Sequence, residues 1–275
     1  MVKKMNLNQI TIKSYVQNSL AAFLLSTVSA SVFAQATFLI WPIYPNIESN
    51  EKATAVWLEN TGKTDAMVQV RVFKWSQKEY KDSFENQSEI IPSPPIVKIK
   101  AGEKNMLRIT RAITPEANTE QAYRIIVDEL PIKLEGDQTE ANSKVSFQMR
   151  YSIPLFSYGK GIGSGLNEAS IKDNNKNPQA KPILSYWVKK TAGQSQLFIK
   201  NSGAKFARIS GIRLSENSNQ LDIESMSLGY ILPNSTMSFD IKNELFNQLD
   251  AANILYSQDS SGTTAKSIEL KKAGS

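Results

Sequence analysis

Few groups in this chain could make or break a bond. Its 275 residues include no histidine and no cysteine. That removes imidazole proton shuttles, Ser-His-Asp and Cys-His arrangements, and nearly all zinc or copper sites. Ser157 and Lys160 form a nominal Ser-Lys pair, but nothing in the pattern orients them. Asp128 and Glu129 are adjacent, so on a strand their carboxylates face opposite ways. They cannot flank one bond at the roughly 5–9.5 Å that glycoside hydrolysis needs. A carboxylate enzyme would have to use acids distant in sequence. No catalytic residue, metal or cofactor is expected.

The chemistry that is written here is non-covalent. Val145, Phe147, Met149 and Tyr151 alternate with Ser146, Gln148, Arg150 and Ser152. In an extended strand the four apolar side chains share one face. Such a row suits first the chain's own core, and it would also suit successive pockets in a partner's groove. On the residues alone both readings stay open.

The elements that must position this row are strands. Ala53 to Leu58 is one, stopped by Asn60-Thr-Gly-Lys-Thr-Asp65, and Met67 to Trp75 is the next. In the latter Val68, Val70 and Val72 point one way, Gln69 and Arg71 the other, as in a half-buried sheet. Lys98 to Lys100, Asn105 to Thr110, Tyr123 to Glu129 and Val145 to Leu155 continue the series. Gly159-Lys-Gly-Ile-Gly-Ser-Gly165 interrupts it and reads as a flexible joint, and the stretch Lys172 to Lys181 is polar. Strands then resume at Ile183 to Val188, Gln196 to Lys200, Ala207 to Leu214, Met237 to Ile241 and Ile254 to Ser257. The pattern predicts an all-β chain of two immunoglobulin-like β-sandwich domains, 35–159 and 160–275, with one larger barrel as the alternative. Phe38 to Pro45 is apolar on both faces and broken by prolines, which suits an edge segment. Trp41 is expected in the core.

The N-terminus predicts export. Lys3, Lys4 and Lys13 precede an apolar run from Val16 to Val28, and small residues end at Ala34, with a second candidate cut at Ala36. This is the order of a secretory signal peptide, residues 1–34, and the run is short for a spanning helix. The leader carries three lysines and no acid, so the formal charge of +6 falls to about +3 in the mature chain. No nucleic-acid partner follows from so small a value. An exported chain without cysteine must be held by its core.

Several segments resemble the PapD-like periplasmic chaperones of chaperone–usher pili, of the archaic class. They are Pro94-Pro-Ile-Val-Lys-Ile-Lys-Ala-Gly-Glu-Lys-Asn-Met-Leu-Arg-Ile109, Tyr123-Arg-Ile-Ile-Val-Asp-Glu-Leu-Pro131 and Val145-Ser-Phe-Gln-Met-Arg-Tyr-Ser-Ile-Pro-Leu-Phe156, with Leu197 to Gly203 and Tyr230 to Ser235 in the second half. Their order and spacing cover essentially the whole mature chain.

The resemblance implies two immunoglobulin-like domains set in an L and a periplasmic location. It implies pilus subunits and an outer-membrane usher as partners, and no small-molecule substrate, cofactor or membrane-embedded part. It makes residues about 145–156 a strand lent to a subunit that lacks its own, with Val145, Phe147, Met149 and Tyr151 entering the subunit. The loop Glu135 to Ser143, on its residues an ordinary solvated loop, becomes on the resemblance the base from which that strand extends. The family also grips the subunit's terminal carboxylate with a basic pair. The usual first-strand arginine is missing, since Phe38 to Ile47 has no basic residue, and Pro154 stands at the usual seventh-strand lysine. Arg124 with Arg150 is the expected substitute pair, and Lys160 a third candidate. The alternative function is a secreted immunoglobulin-like pilin or adhesin. It fits less well, because Thr37 to Tyr44 lacks the apolar-polar alternation of a donor segment.

Overall fold

A computed structural model describes residues 37–131, 148–191, 193–221, 229–261 and 265–274. The export segment, Val145, Phe147 and the loop Glu135 to Ser143 lie outside them. Two β-sandwich domains are present, each with its own core, so the single-barrel alternative is not adopted.

The first domain packs two sheets face to face. One runs β1 (Phe38–Trp41), β3 (Ala53–Asn60), β8 (Lys104–Arg111), β6 (Ile90–Ser93). The other runs β2 (Asn46–Ile47), β10 (Arg150–Tyr158), β9 (Glu120–Leu130), β4 (Ala66–Lys78), β5 (Lys81–Asn86), with β7 (Ile96–Ile99) also on β4. Period-two alternation fills the space between them. Val68, Val70 and Val72 of β4, Tyr123, Ile125 and Val127 of β9, and Ile153 and Leu155 of β10 are buried against Val56, Leu58, Leu107 and Ile109 of the facing sheet. Each such side chain contributes roughly 1.5–3 kcal/mol. Trp41 departs from expectation. It lies on the outer face of its sheet, half-buried and stacked on Trp57 across the strand pair, because Phe38 and Ile40 take the inward positions.

The second domain is one hydrogen-bonded path, β14 (Gly229–Ile231), β13 (Ala207–Arg213), β16 (Ile254–Asp259), β17 (Lys266–Lys272), β11 (Leu184–Thr191), β12 (Gln194–Asn201), β15 (Thr236–Ile241). Its strands enclose Tyr186, Leu197, Ile199, Ile209 and Leu255. Two short helices join it, α1 (Glu168–Lys176) and α2 (Asn243–Ala251). The polar run around residue 172 is thus a helix. Asn167 starts it by accepting from the Ser170 N–H while Ser170 Oγ accepts from the Asn167 N–H, a capping box that satisfies donors the first turn leaves free.

Both domains share one corner. Asn60 in Asn60-Thr-Gly62 and Asn201 in Asn201-Ser-Gly203 are fully buried, and each accepts from the glycine N–H two residues on. Each also donates to two backbone carbonyls, Thr64 and Ile99 in one case, Lys205 and Ile231 in the other. A buried amide is tolerable only with such partners.

The glycine-rich joint is packed, which corrects the expectation of slack. A Cβ at Gly159 would overlap the Glu116 carbonyl oxygen, and one at Gly163 would meet Ser170 and Glu48. The glycines permit close backbone approach. Between the domains, Phe156 stacks on Phe206 at 3.7 Å, and the Gln77 side chain bonds both Tyr230 O and Leu232 N. The Phe206 N–H donates to Glu120, whose carboxyl is pushed up to about 8 by burial, against the opposing pull of Lys205.

Two outcomes follow. Gly159→Ala should destabilise the fold by the roughly 1–3 kcal/mol or more expected of overpacking a rigid site, and calorimetry reads this as a lower melting temperature. A raised carboxyl pKa means that the folded form holds a proton the unfolded chain has released, so stability declines as pH rises from about 5 toward 8. Glu120→Gln keeps an oxygen for the Phe206 N–H and should flatten that decline in a melting series across pH.

Candidate functional site

The site is built on β10. Along one side all nine of its residues pair with β9, from Arg150 opposite Asp128 to Tyr158 opposite Glu120. Along its other side β2 covers only Phe156 and Ser157. From Arg150 to Leu155, no described strand pairs with that second edge. Pro154 sits within the uncovered stretch, and a residue without an N–H fits a strand only where there is an edge.

The covered end is fastened firmly. Arg111, buried on β8 of the facing sheet, donates to Ser157 Oγ at 3.1 Å and Tyr158 O at 3.0 Å, and to the carbonyls of Ser49 and Glu51. Ser157 is accordingly a structural partner of Arg111. The open end is held at its base. Asp128 accepts from Arg71 at 2.6 Å and from Arg150 Nε, and these two guanidiniums hold its carboxyl below the usual carboxylate range against the upward push of burial. Glu129 N donates to Met149 O at 3.0 Å, and Met149 N to a Glu129 carboxylate oxygen at 3.3 Å. The chain therefore still runs beside β9 at Met149.

The apolar row divides along this strand. Leu155 and Ile153 are in the domain's own core. Tyr151 lies at its rim, with its ring edge-on to Phe38 at 6.2 Å and its hydroxyl accepting from Phe38 N at 3.1 Å. Met149 is 41% exposed. Val145 and Phe147, which continue the row, are outside the described residues.

Arg124 and Arg150 do not converge, and the expected pairing is corrected. They share the outer face of the sheet, but Arg124 is opposite Pro154 and Arg150 opposite Asp128. Four residues of strand, about 13 Å, separate those register positions. Alternation gives the face correctly but says nothing about distance along the strand. Lys160 is exposed, with its carbonyl accepting from Asn118 N.

Arg124 instead shares the Tyr230 ring with Arg208 of β13, a residue the sequence did not single out. The Arg124 guanidinium lies 3.8 Å over the Trp75 ring and 5.0 Å from Tyr230. Arg208 lies 5.0 Å over Tyr44 and 6.0 Å from Tyr230. The Tyr230 and Tyr44 hydroxyls are 3.5 Å apart. Aromatic faces attract both cations, yet the buried Nε of each arginine has no hydrogen-bond partner. Neither forms an ion pair among the described residues. Burial depresses the Arg124 guanidinium and pushes the Tyr230 hydroxyl up, but Arg124 remains a cation. Two guanidiniums with orphaned Nε donors beside two phenols are groups whose missing hydrogen bonds an anion could accept. The signal in sequence was slight, because Arg208 becomes relevant only once the second domain folds against the first.

Comparison with known proteins agrees with this architecture. The family model for the pili and flagellar-assembly chaperone, PapD N-terminal domain, matches residues 44–162. No curated protein sequence matches. Among solved structures, the CsuC–CsuE chaperone–tip adhesion subunit pre-assembly complex from archaic chaperone–usher Csu pili of Acinetobacter baumannii contains a chain 56% identical, at a TM-score of 0.74, with 86% of this chain and 99% of that one covered. Two further chaperones share the fold at low identity. The YadV chaperone is 16% identical at a TM-score of 0.55, over 85% of this chain and 98% of that one. The CupB2 chaperone of Pseudomonas aeruginosa is 13% identical at 0.52, over 85% of this chain and all of that one. On the identity and coverage of the Csu chain, together with the matched N-terminal domain, this protein belongs to the PapD-like family of pilus chaperones.

Proposed function

We propose that this protein is a periplasmic chaperone that captures pilus subunits by β-augmentation along the uncovered edge of β10 and delivers them to an outer-membrane usher. The observation that carries the reading is the division of β10. One end is fixed by Arg111 and covered by β2, while the other offers unpaired backbone and leads into an apolar row. A strand edge of this kind is a template for pairing with another chain. Residues 1–34 act as the export signal, 35–159 as the capturing domain and 160–275 as the second domain.

In this mechanism a subunit with an incomplete sandwich lays its own edge along Arg150 to Leu155. Val145, Phe147 and Met149 enter its groove, while Tyr151 stays at the rim of the chaperone's core. Burial of those three side chains contributes roughly 1.5–3 kcal/mol each, offset in part by the cost of ordering and association. The complex is thereby firm but replaceable by a strand that packs better.

Arg124 and Arg208, with Tyr44 and Tyr230, bind the subunit's terminal carboxylate. Their orphaned Nε groups support this role. Asp128, with Arg71 and Arg150, holds the base of the lent strand in register. Filling the cradle first fixes the subunit's position, after which the strand pairs residue by residue.

Two tests separate these parts. Phe147→Asp should abolish recovery of a subunit with the tagged mature chain from periplasm while leaving its circular dichroism unchanged; full recovery would sink the donor-strand mechanism. Arg208→Ala should weaken capture on the order of ten- to a hundredfold, the loss of one charge-assisted contact of about 1.5–3 kcal/mol. Extension of the subunit's C-terminus by two glycines should mimic it, and Arg150→Ala should have the smaller effect.

A further inference from the structure

Strand β5 has almost no buried face, yet it is held as one arm of a tight hairpin with β4. Lys78 pairs with Lys81, so the loop is only Glu79 and Tyr80, at φ of 50° and 64°. Positive φ at both central residues is the type I′ turn that matches the twist of its strands. Side chains other than Gly, Asn or Asp adopt it under strain. The contacts that justify such a hairpin lie in the second domain. Tyr80 is edge-on to Phe198 at 5.0 Å, and Gln77, three residues earlier on β4, reaches β14.

β14 ends its hydrogen-bonded path, and no described strand pairs with its outer edge. Tyr230 O and Leu232 N, two residues apart, share that edge. Gln77 Nε2 donates to the first at 2.8 Å, and Gln77 Oε1 accepts from the second at 2.8 Å. The side-chain amide thus stands in for one peptide of a neighbouring strand. The same Nε2 donates to Asp82 Oδ1 at 3.0 Å, and that oxygen also accepts from Trp75 Nε1 at 2.9 Å. Asp82 is directly opposite Gln77 in the hairpin register, so one carboxylate oxygen ties the Trp75 ring to the Gln77 amide.

These contacts converge on the arginines. Trp75 and Tyr230 are the rings against which Arg124 packs, at 3.8 and 5.0 Å. Tyr230 is also the register partner of Arg208 across β13 and β14. A grip on the Tyr230 backbone therefore sets both the ring that the two guanidiniums share and the strand pair that carries Arg208. The Phe156–Phe206 stack and the Phe206–Glu120 bond fix the chain just before β13, and Gln77 fixes the strand beside it.

We propose that Gln77 and Asp82 are positioning residues for subunit capture: Asp82 fixes Trp75 and Gln77, Gln77 fixes Tyr230, and together they keep Arg124 and Arg208 at the spacing that takes a terminal carboxylate. The assignment rests on the carboxylate-anchor reading of those arginines, and neither residue touches the subunit in it. Charge-assisted bonds from a planar guanidinium depend on geometry, so a shift of either ring is felt as lost affinity.

The test titrates refolding subunit with the full mature chaperone and reads the midpoint of capture. Two subunits are compared, one with its native C-terminus and one extended by two glycines. Gln77→Ala and Asp82→Ala should each raise the midpoint for the native subunit about tenfold, as expected for one weakened charge-assisted contact. For the extended subunit, which has already lost that contact, the change should stay below about twofold. Asp82→Asn keeps an oxygen for Trp75 Nε1 and Gln77 Nε2 and should capture as the wild type does. Equal losses with both subunits would show that these contacts merely hold the domains together, and would overturn the proposal. So would no loss with either, or an Asp82→Asn chain that behaves as Asp82→Ala. Asp82 is exposed, so its variants decide the matter even if removal of Gln77 prevents folding. If the extension left capture by the wild-type chain unchanged, the carboxylate-anchor reading would fail first, and the proposal with it.

Discussion

Everything in this structure turns on one strand that is satisfied along one side and only half satisfied along the other. β10 exchanges hydrogen bonds with β9 over its whole length, yet β2 covers just two of its residues. Backbone groups left unpaired on an edge invite another chain. A protein can keep such an edge for use only if the rest of the strand cannot slip or peel. Arg111 reaches across the sandwich to the covered end, and Asp128 draws Arg71 and Arg150 together at the open end. The edge is held in shape by contacts that do not use it up.

The second domain follows from the same constraint. It covers the outer face of the β10 sheet at the Trp75, Ala122 and Phe156 end. That face carries Arg124, which alone would be a solvated surface cation. Burial against Trp75 and Tyr230 turns it into a desolvated donor with an empty hydrogen-bond position. The tight glycines from Gly159 onward and the Phe156–Phe206 stack hold the two domains at the spacing this requires. An arginine cluster built from two domains calls for a joint that is packed, and the packed joint is what the chain has.

Much of the fold was legible because period two is a local signal. Val68, Val70 and Val72 announced their strand and its buried face without reference to anything distant. Short or partly polar strands were not legible. β5, with Lys81-Asp-Ser-Phe-Glu-Asn86, has almost no buried face of its own and exists because it pairs with β4. Helix α1 was hidden because its polar surface gives no apolar stripe, and only the Asn167–Ser170 cap marks it. The Asn60 and Asn201 corners repeat one device in both domains, but a three-residue motif is too short to stand out before its burial is known. For the site, alternation found the row and the correct face of Arg124. It could not supply Arg208, whose approach to Tyr44 and Tyr230 depends on domain packing.

The central claim is that the edge of β10 from Arg150 to Leu155 is open in the free chaperone and is completed by a subunit. Amide hydrogen exchange measured residue by residue, in the free protein and in its subunit complex, tests it most directly. The account predicts that N–H groups on that edge exchange quickly in the free protein and slow by orders of magnitude in the complex, while those paired with β9 are slow in both. Exchange along Arg150 to Leu155 that does not change when a subunit binds would contradict it.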